Sequence, residues 1–187
     1  MAPVPRRVVG LIGPAGSGKS TVAQYLVGSR GYAQESFAGA LKDCVAAIFG
    51  WNREDLEGET PASREWRETV DRWWAARLNI SDLTPRWVLR HFGTEVMRDG
   101  FHKDIWVASL QRRLHALESP VVVSDVRFPN EAEAIRDADG ILVRIERPGA
   151  VGSGHVTETA LEGFVADHTI VNDGLLQDLL RRVDDVL

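Results

Sequence analysis

The sequence predicts an α/β fold: a parallel sheet of about five strands with helices on both faces. Two observations carry this. A short apolar run, RRVVGLI, leads through a glycine-rich stretch into a helical pattern, and further apolar runs of strand length then alternate with amphipathic stretches down the chain. Strands that are apolar at every position are buried on both faces, as in parallel sheets. Helices between such strands make right-handed crossovers and cover the sheet.

RRVVGLI is the first strand, and Lys19 to Gly28 reads as a helix with Val22, Leu26 and Val27 on one side. YAQESFA is a short second strand, followed by a helix from about Gly39 to Phe49. Residues 51–83, rich in tryptophan and charge, are the least regular; they hold one or two helices and resemble an insertion more than core. Thr84-Pro85 is a helix start, an N-cap hydroxyl followed by proline at the first helical position. Val88, Leu89, Phe92 and Val96 then recur on one predicted face, and another helix is expected from about Lys103 to Leu117. PVVVSDV is a buried strand, and NEAEAIRDADG a short helix closed by Gly140. ILVRIER and DHTIVND are the last strands, and Leu175 to Val186 a closing amphipathic helix.

The 187 residues suit one domain with a real core. With 44% hydrophobic and 26% charged residues the composition is that of a globular protein, and no apolar run approaches the roughly 18–20 residues of a membrane span. The apolar stretch behind the N-terminal MAPVPRR is short and runs directly into the glycine-rich loop, so no signal peptide is expected. Cys44 is the sole cysteine, which excludes an internal disulfide and a thiolate metal cluster and fits a reducing cytoplasm. The net charge of −5 argues against a general nucleic-acid binder. Lysine occurs only at 19, 42 and 103, and arginine supplies the rest. Arginine is the better bidentate phosphate ligand, although a GC-rich genome produces the same bias.

GPAGSGKS fits the phosphate-binding pattern G-x-x-x-x-G-K-[ST] with Gly13, Gly18, Lys19 and Ser20, between a buried strand and a helix as that pattern requires. Glycines let the backbone curl so that N–H groups point inward around phosphate oxygens, and the helix N-terminus adds partial positive charge. Gly13, Ala15, Gly16, Ser17, Gly18, Lys19, Ser20 and Thr21 are therefore the candidate ATP-binding residues. Lys19 can reach the β and γ phosphates, and the Ser20 hydroxyl suits Mg²⁺. Asp125, after three valines, stands at the end of a neighbouring strand, where the second half of such a site needs an acid for Mg²⁺ or its water. Arg127 sits at the same carboxyl edge of the sheet, either to clamp a phosphoryl group or to pair with Asp125 or Glu131.

LIGPAGSGKSTVA, FAGALKD, TPRWVLRHFGTEVMRDGFHKDIW, VVVSDVRFPNEAEAI and DHTIVNDG follow one another in an order that resembles the deoxynucleoside monophosphate kinases of bacteriophages, within the larger P-loop group of NMP kinases. The similarity covers roughly 7–50 and 84–187. It implies a P-loop three-layer sandwich that transfers the ATP γ-phosphoryl group to a deoxynucleoside monophosphate, with Mg²⁺ held by Ser20 and Asp125. It implies one kinase domain over 1–187, a helical acceptor-binding region over 38–118 and a short lid over 148–165. Carried over by position, Lys42, Arg86, Gly93, Thr94, Glu95, Arg98 and Trp106 line the acceptor site, Arg147 belongs to the ATP side, and Lys19, Asp125 and Arg127 are catalytic.

The residues themselves leave some roles open. Arg86, Arg90 and Glu95 fit either a dianion site or a solvated helix face, and Trp106 either faces a base or packs with Val107 and Leu110. His155 and Glu158 are lid contacts or a helix-start pair, and Arg64, Arg67, Arg72 and Arg77 are alternative sources of one more phosphate ligand. The expected partners are ATP and a deoxynucleoside monophosphate, with no nucleic acid and no membrane; a homodimer is left open. The competing readings are another small-molecule kinase of dephospho-coenzyme A or shikimate type, and a nucleotide-dependent switch or ATPase.

Overall fold

The computed structural model describes residues 8–149 and 163–187. In chain order the elements are β1 (Val8–Ile12), α1 (Lys19–Arg30), β2 (Ala33–Glu35), α2 (Gly39–Phe49), α3 (Pro61–Glu68), α4 (Arg72–Leu78) and α5 (Pro85–Arg90). A π-helical segment (His91–Asp99) follows, then α6 (Ile105–Leu114), β3 (Val121–Val123), α7 (Pro129–Asp137), β4 (Ile141–Glu146), β5 (His168–Val171) and α8 (Leu176–Val186). Among the described residues no helix is long and apolar enough to cross a membrane. The chain divides into two compact units, Met1–Phe37 with Leu110–Leu187, and Ala38–Ser109.

The first unit holds the sheet, all parallel, in the order β2-β3-β1-β4-β5. β1 is central because all five of its residues are buried. Val9 and Leu11 point to one face, where they pack with Val22, Ala23 and Leu26 of α1 and Leu179 and Val183 of α8. Gly10 points to the other: a Cβ there would lie 2.8 Å from Leu142 and 3.1 Å from Ile135 of α7, so its lack of a side chain admits that helix. Helices thus cover both faces, and the expected three layers are present. Each fully buried Val or Leu contributes about 1.5–3 kcal/mol, enough to keep the strand ends fixed where the loops emerge.

The second unit has its own core of Leu41, Val45, Leu56, Leu83, Val88 and Trp106. Leu56 and Leu83 are fully buried, so residues 51–83 are core-forming here rather than an appended insertion. Their charge-rich helices announce themselves by caps: Thr60 and Asp71 accept hydrogen bonds from the N–H groups of Ser63 and Trp74 at the starts of α3 and α4. Thr84 does the same for Trp87 at 3.1 Å, as the Thr-Pro pair predicts.

One predicted face is redistributed. The 85–99 stretch is α-helical only to Arg90 and then winds as a π-helix. The wider i→i+5 winding breaks the 3.6-residue period, so Val88 is buried and Phe92 half-buried while Val96 emerges into solvent.

Candidate active site

The loop between β1 and α1 is shaped by three glycines with positive φ: Gly13 at 142°, Gly16 at 75° and Gly18 at 114°. At Gly13 a Cβ would also fall 2.2 Å from the Ile145 carbonyl of β4, so no other residue fits. α1 opens with Gly18 as its N-cap, no side-chain cap and no acidic residue in its first turn. Thr60, Asp71 and Thr84 occupy that position on other helices; here no side chain caps the helix start, an arrangement that suits an anion. Ser17 is fully buried, and its hydroxyl has no hydrogen-bond partner among the described residues. The Lys19 ammonium lies across the loop and donates to the carbonyls of Gly13 at 2.8 Å and Pro14 at 2.7 Å. Ala15 and Ser20 are exposed and Thr21 is half-buried.

Asp125 follows β3, the strand paired with β1, and so stands at the same carboxyl edge. One of its carboxylate oxygens accepts from the Phe37 N–H at 2.8 Å. Arg127 is exposed, and its guanidinium makes no hydrogen bond or ion pair among the described residues. Of the two partners its sequence offers, Glu131 takes the main chain instead: its carboxylate, 4% exposed, accepts from the N–H groups of Arg127 at 2.8 Å and Phe128 at 3.2 Å. That contact caps α7 and pins the backbone from which the Arg127 side chain projects. Asn172, just beyond β5, donates from its side-chain amide to the Ser17 carbonyl at 2.9 Å. Sequence reasoning missed it, because a partner 155 positions away leaves no local mark. Glu131 had a signal, a glutamate three residues into a helix opened by proline. Arg147 is exposed just past β4. The lid candidates His155 and Glu158, and most of 148–165, lie outside the described residues.

In the second unit Lys42 of α2 is ion-paired with Glu57, whose other carboxylate oxygen accepts from Arg53 at 2.5 Å. Burial alone would raise the Glu57 carboxyl, but hydrogen bonds and charge from Lys42 and Arg53 hold it below the ordinary carboxylate range. Arg86 is 61% exposed and pairs with Glu68 at 3.2 Å. Thr94, Glu95 and Arg98 lie on the π-helix, with Glu95 bonded to His91, which stacks on Trp87. Gly93 is buried there, and a Cβ on it would meet Leu41 at 2.7 Å. Its carbonyl accepts from the Trp106 indole N–H at 2.8 Å, and Trp106 itself is only 8% exposed. The role this geometry supports for Trp106 is a strut under Gly93.

A strand, a glycine loop and an uncapped helix bearing Lys19, with an acid and an exposed arginine after the neighbouring strand, define a P-loop phosphotransferase. Residues 54–183 match the family model for deoxynucleotide monophosphate kinases, and the chain belongs to that family. A relative from Acanthamoeba polyphaga mimivirus, itself provisionally described as a deoxynucleotide monophosphate kinase, is 34% identical over 94% of this chain and 93% of its own. The deoxynucleoside-5′-monophosphate kinase of Escherichia phage T5 is 26% identical over 90% of this chain and 91% of its own. Among solved structures, a shikimate kinase from Acinetobacter baumannii in complex with shikimate superposes with a TM-score of 0.48 at 16% identity, covering 97% of this chain and 92% of that one.

Proposed function

We propose that this kinase transfers the γ-phosphoryl group of ATP to the 5′-phosphate of a deoxynucleoside monophosphate, with residues 13–21 cradling the ATP phosphates. The observation that supports this most is the uncapped start of α1 beneath a loop bent by Gly13, Gly16 and Gly18, with Lys19 lying across it. Ser20 and Asp125 fit Mg²⁺: both are oxygen donors at the carboxyl edge of adjacent strands, and a magnesium ion asks for only one or two protein oxygens besides phosphate. When bound, the ion supplies neutralisation of charge on the β and γ phosphates.

The acceptor phosphate dianion is already a nucleophile at neutral pH, so no strong general base is required. In this reading Lys19 turns from the loop carbonyls to hold charge on the transferred group, and Arg127 presents a guanidinium that no described residue occupies. Lys42, Arg86, Gly93, Thr94, Glu95 and Arg98 are the proposed acceptor residues, in the region 38–118, with Trp106 supporting Gly93. Arg147 stands on the ATP side. Positioning and charge neutralisation carry the acceleration.

A coupled assay across the four deoxynucleoside monophosphates, their ribo counterparts, shikimate and dephospho-coenzyme A tests the acceptor. Turnover is expected with at least one deoxynucleotide and not with the last two; equal turnover with shikimate would remove the acceptor assignment. Lys19→Ala is expected to lower turnover on the order of 10²–10⁴-fold, the scale of one preorganised charge, with circular dichroism unchanged.

A further inference from the structure

We infer that Asn172 is a positioning residue for ATP, which sets the direction of one N–H donor in the phosphate loop. The inference rests on the reading of residues 13–21 as the ATP cradle. Its side-chain amide donates to the Ser17 carbonyl at 2.9 Å. That carbonyl belongs to the peptide unit joining Ser17 to Gly18, and in a planar trans peptide the C=O and N–H point in opposite directions. Holding the Ser17 oxygen on the Asn172 side therefore holds the Gly18 N–H on the other side, away from Asn172.

The restraint matters because of what flanks it. Gly18 has φ of 114°, a conformation in which glycine alone is at ease, and glycine is also the residue that rotates most readily. Unrestrained, the Ser17–Gly18 peptide can turn over and replace an inward donor with an acceptor that repels phosphate. Asn172 is itself held firmly. Its N–H donates to the Glu146 carbonyl at 2.6 Å, which ends the β4–β5 ladder. From α8, Arg182 bonds the Val171 carbonyl and the Asp173 carboxylate on either side of it. The fit is close: a Cβ on Gly18 would lie 2.8 Å from the Asn172 amide nitrogen. Gly18 is thus small for two reasons, its φ and the amide packed against it.

The test compares Asn172→Ala, Asn172→Asp and Asn172→Gln with the parent and with Lys19→Ala, measuring KM for ATP, KM for the deoxynucleotide, kcat and thermal midpoint. Asn172→Ala is expected to raise KM for ATP about 3- to 10-fold, the worth of one net hydrogen bond, with the deoxynucleotide KM unchanged. Asn172→Asp, nearly isosteric, sets a carboxylate against the Ser17 carbonyl and is expected to be worse than alanine. Asn172→Gln keeps the amide donor and is expected to recover part of the loss. A purely structural role would instead move both KM values in step with thermal midpoint. That pattern, or an ATP KM unchanged in both Ala and Asp variants while Lys19→Ala is inactive, overturns the role of Asn172 and leaves the cradle reading intact. Full activity in Lys19→Ala overturns the cradle reading itself.

Discussion

Asp125 carries two demands on one carboxylate. One oxygen already accepts from the Phe37 N–H, which ties the β2–α2 connection to the end of β3. The proposed second demand is the magnesium ion. Asp125→Asn separates the two, because the amide oxygen can still accept from Phe37 while the charge is gone. Exchanging a charged for a neutral acceptor costs on the order of 1 kcal/mol of stability. The magnesium concentration for half-maximal turnover is expected to rise more than KM for ATP, since backbone N–H groups hold the phosphates. A magnesium titration at fixed ATP checks this, and an unchanged midpoint with collapsed ATP affinity assigns Asp125 to the nucleotide instead. At this scale legibility depends on sequence distance. Gly13, Gly18, Lys19 and Ser20 were readable because their chemistry is contiguous. Asn172 was not, because its meaning lies in a carbonyl across the sheet, and Glu131 was visible as an acid but not as the group that pins Arg127.

At the scale of elements, the sheet was readable and the π-helix was not. The inner strands β1, β3 and β4 are largely buried, so their apolar runs locate them without knowledge of the neighbours, whereas the edge strands β2 and β5 are short and mixed in polarity. The segment His91–Asp99 carries no mark of its winding: its apolar residues fit an α-helical face, yet it winds more widely and is held by tertiary contacts. Two of those contacts meet at Gly93, Leu41 over its Cα and the Trp106 indole on its carbonyl. Trp106→Phe keeps an aromatic ring in the core but leaves the buried Gly93 carbonyl without its donor. Stability to urea is expected to fall by about 1–3 kcal/mol, the cost of an unsatisfied buried acceptor, together with a raised KM for the deoxynucleotide. Undiminished stability with a large loss of deoxynucleotide affinity would mean that the ring meets the base directly and that the strut is not its role.

At the scale of the whole molecule, the chain distributes its chromophores unevenly. All six tryptophans fall between positions 51 and 106, within the second unit, so tryptophan fluorescence reports on that unit alone. The same unit contains the Lys42–Glu57–Arg53 cluster, in which one carboxylate joins α2 to the turn before α3. The Glu57 carboxyl is held below its ordinary range, so the folded state favours the charged form. A depressed carboxylate contributes stability that is present above its unfolded pKa and is lost as pH falls through its folded pKa. The loss therefore begins near the ordinary glutamate value of about 4.3 and is complete only at lower pH. Glu57→Gln keeps the shape and removes the charge. In urea titrations followed by tryptophan fluorescence, the variant is expected to unfold earlier than the parent at pH 7. The gap should narrow as pH drops below about 4.3, because protonation then makes the parent resemble the variant. The remaining carboxylates are common to both proteins, so their contribution cancels in the difference. Curves that stay parallel from pH 7 to pH 3 would show that Glu57 adds no charge-dependent stability, and that Lys42 and Arg53 hold their places without it.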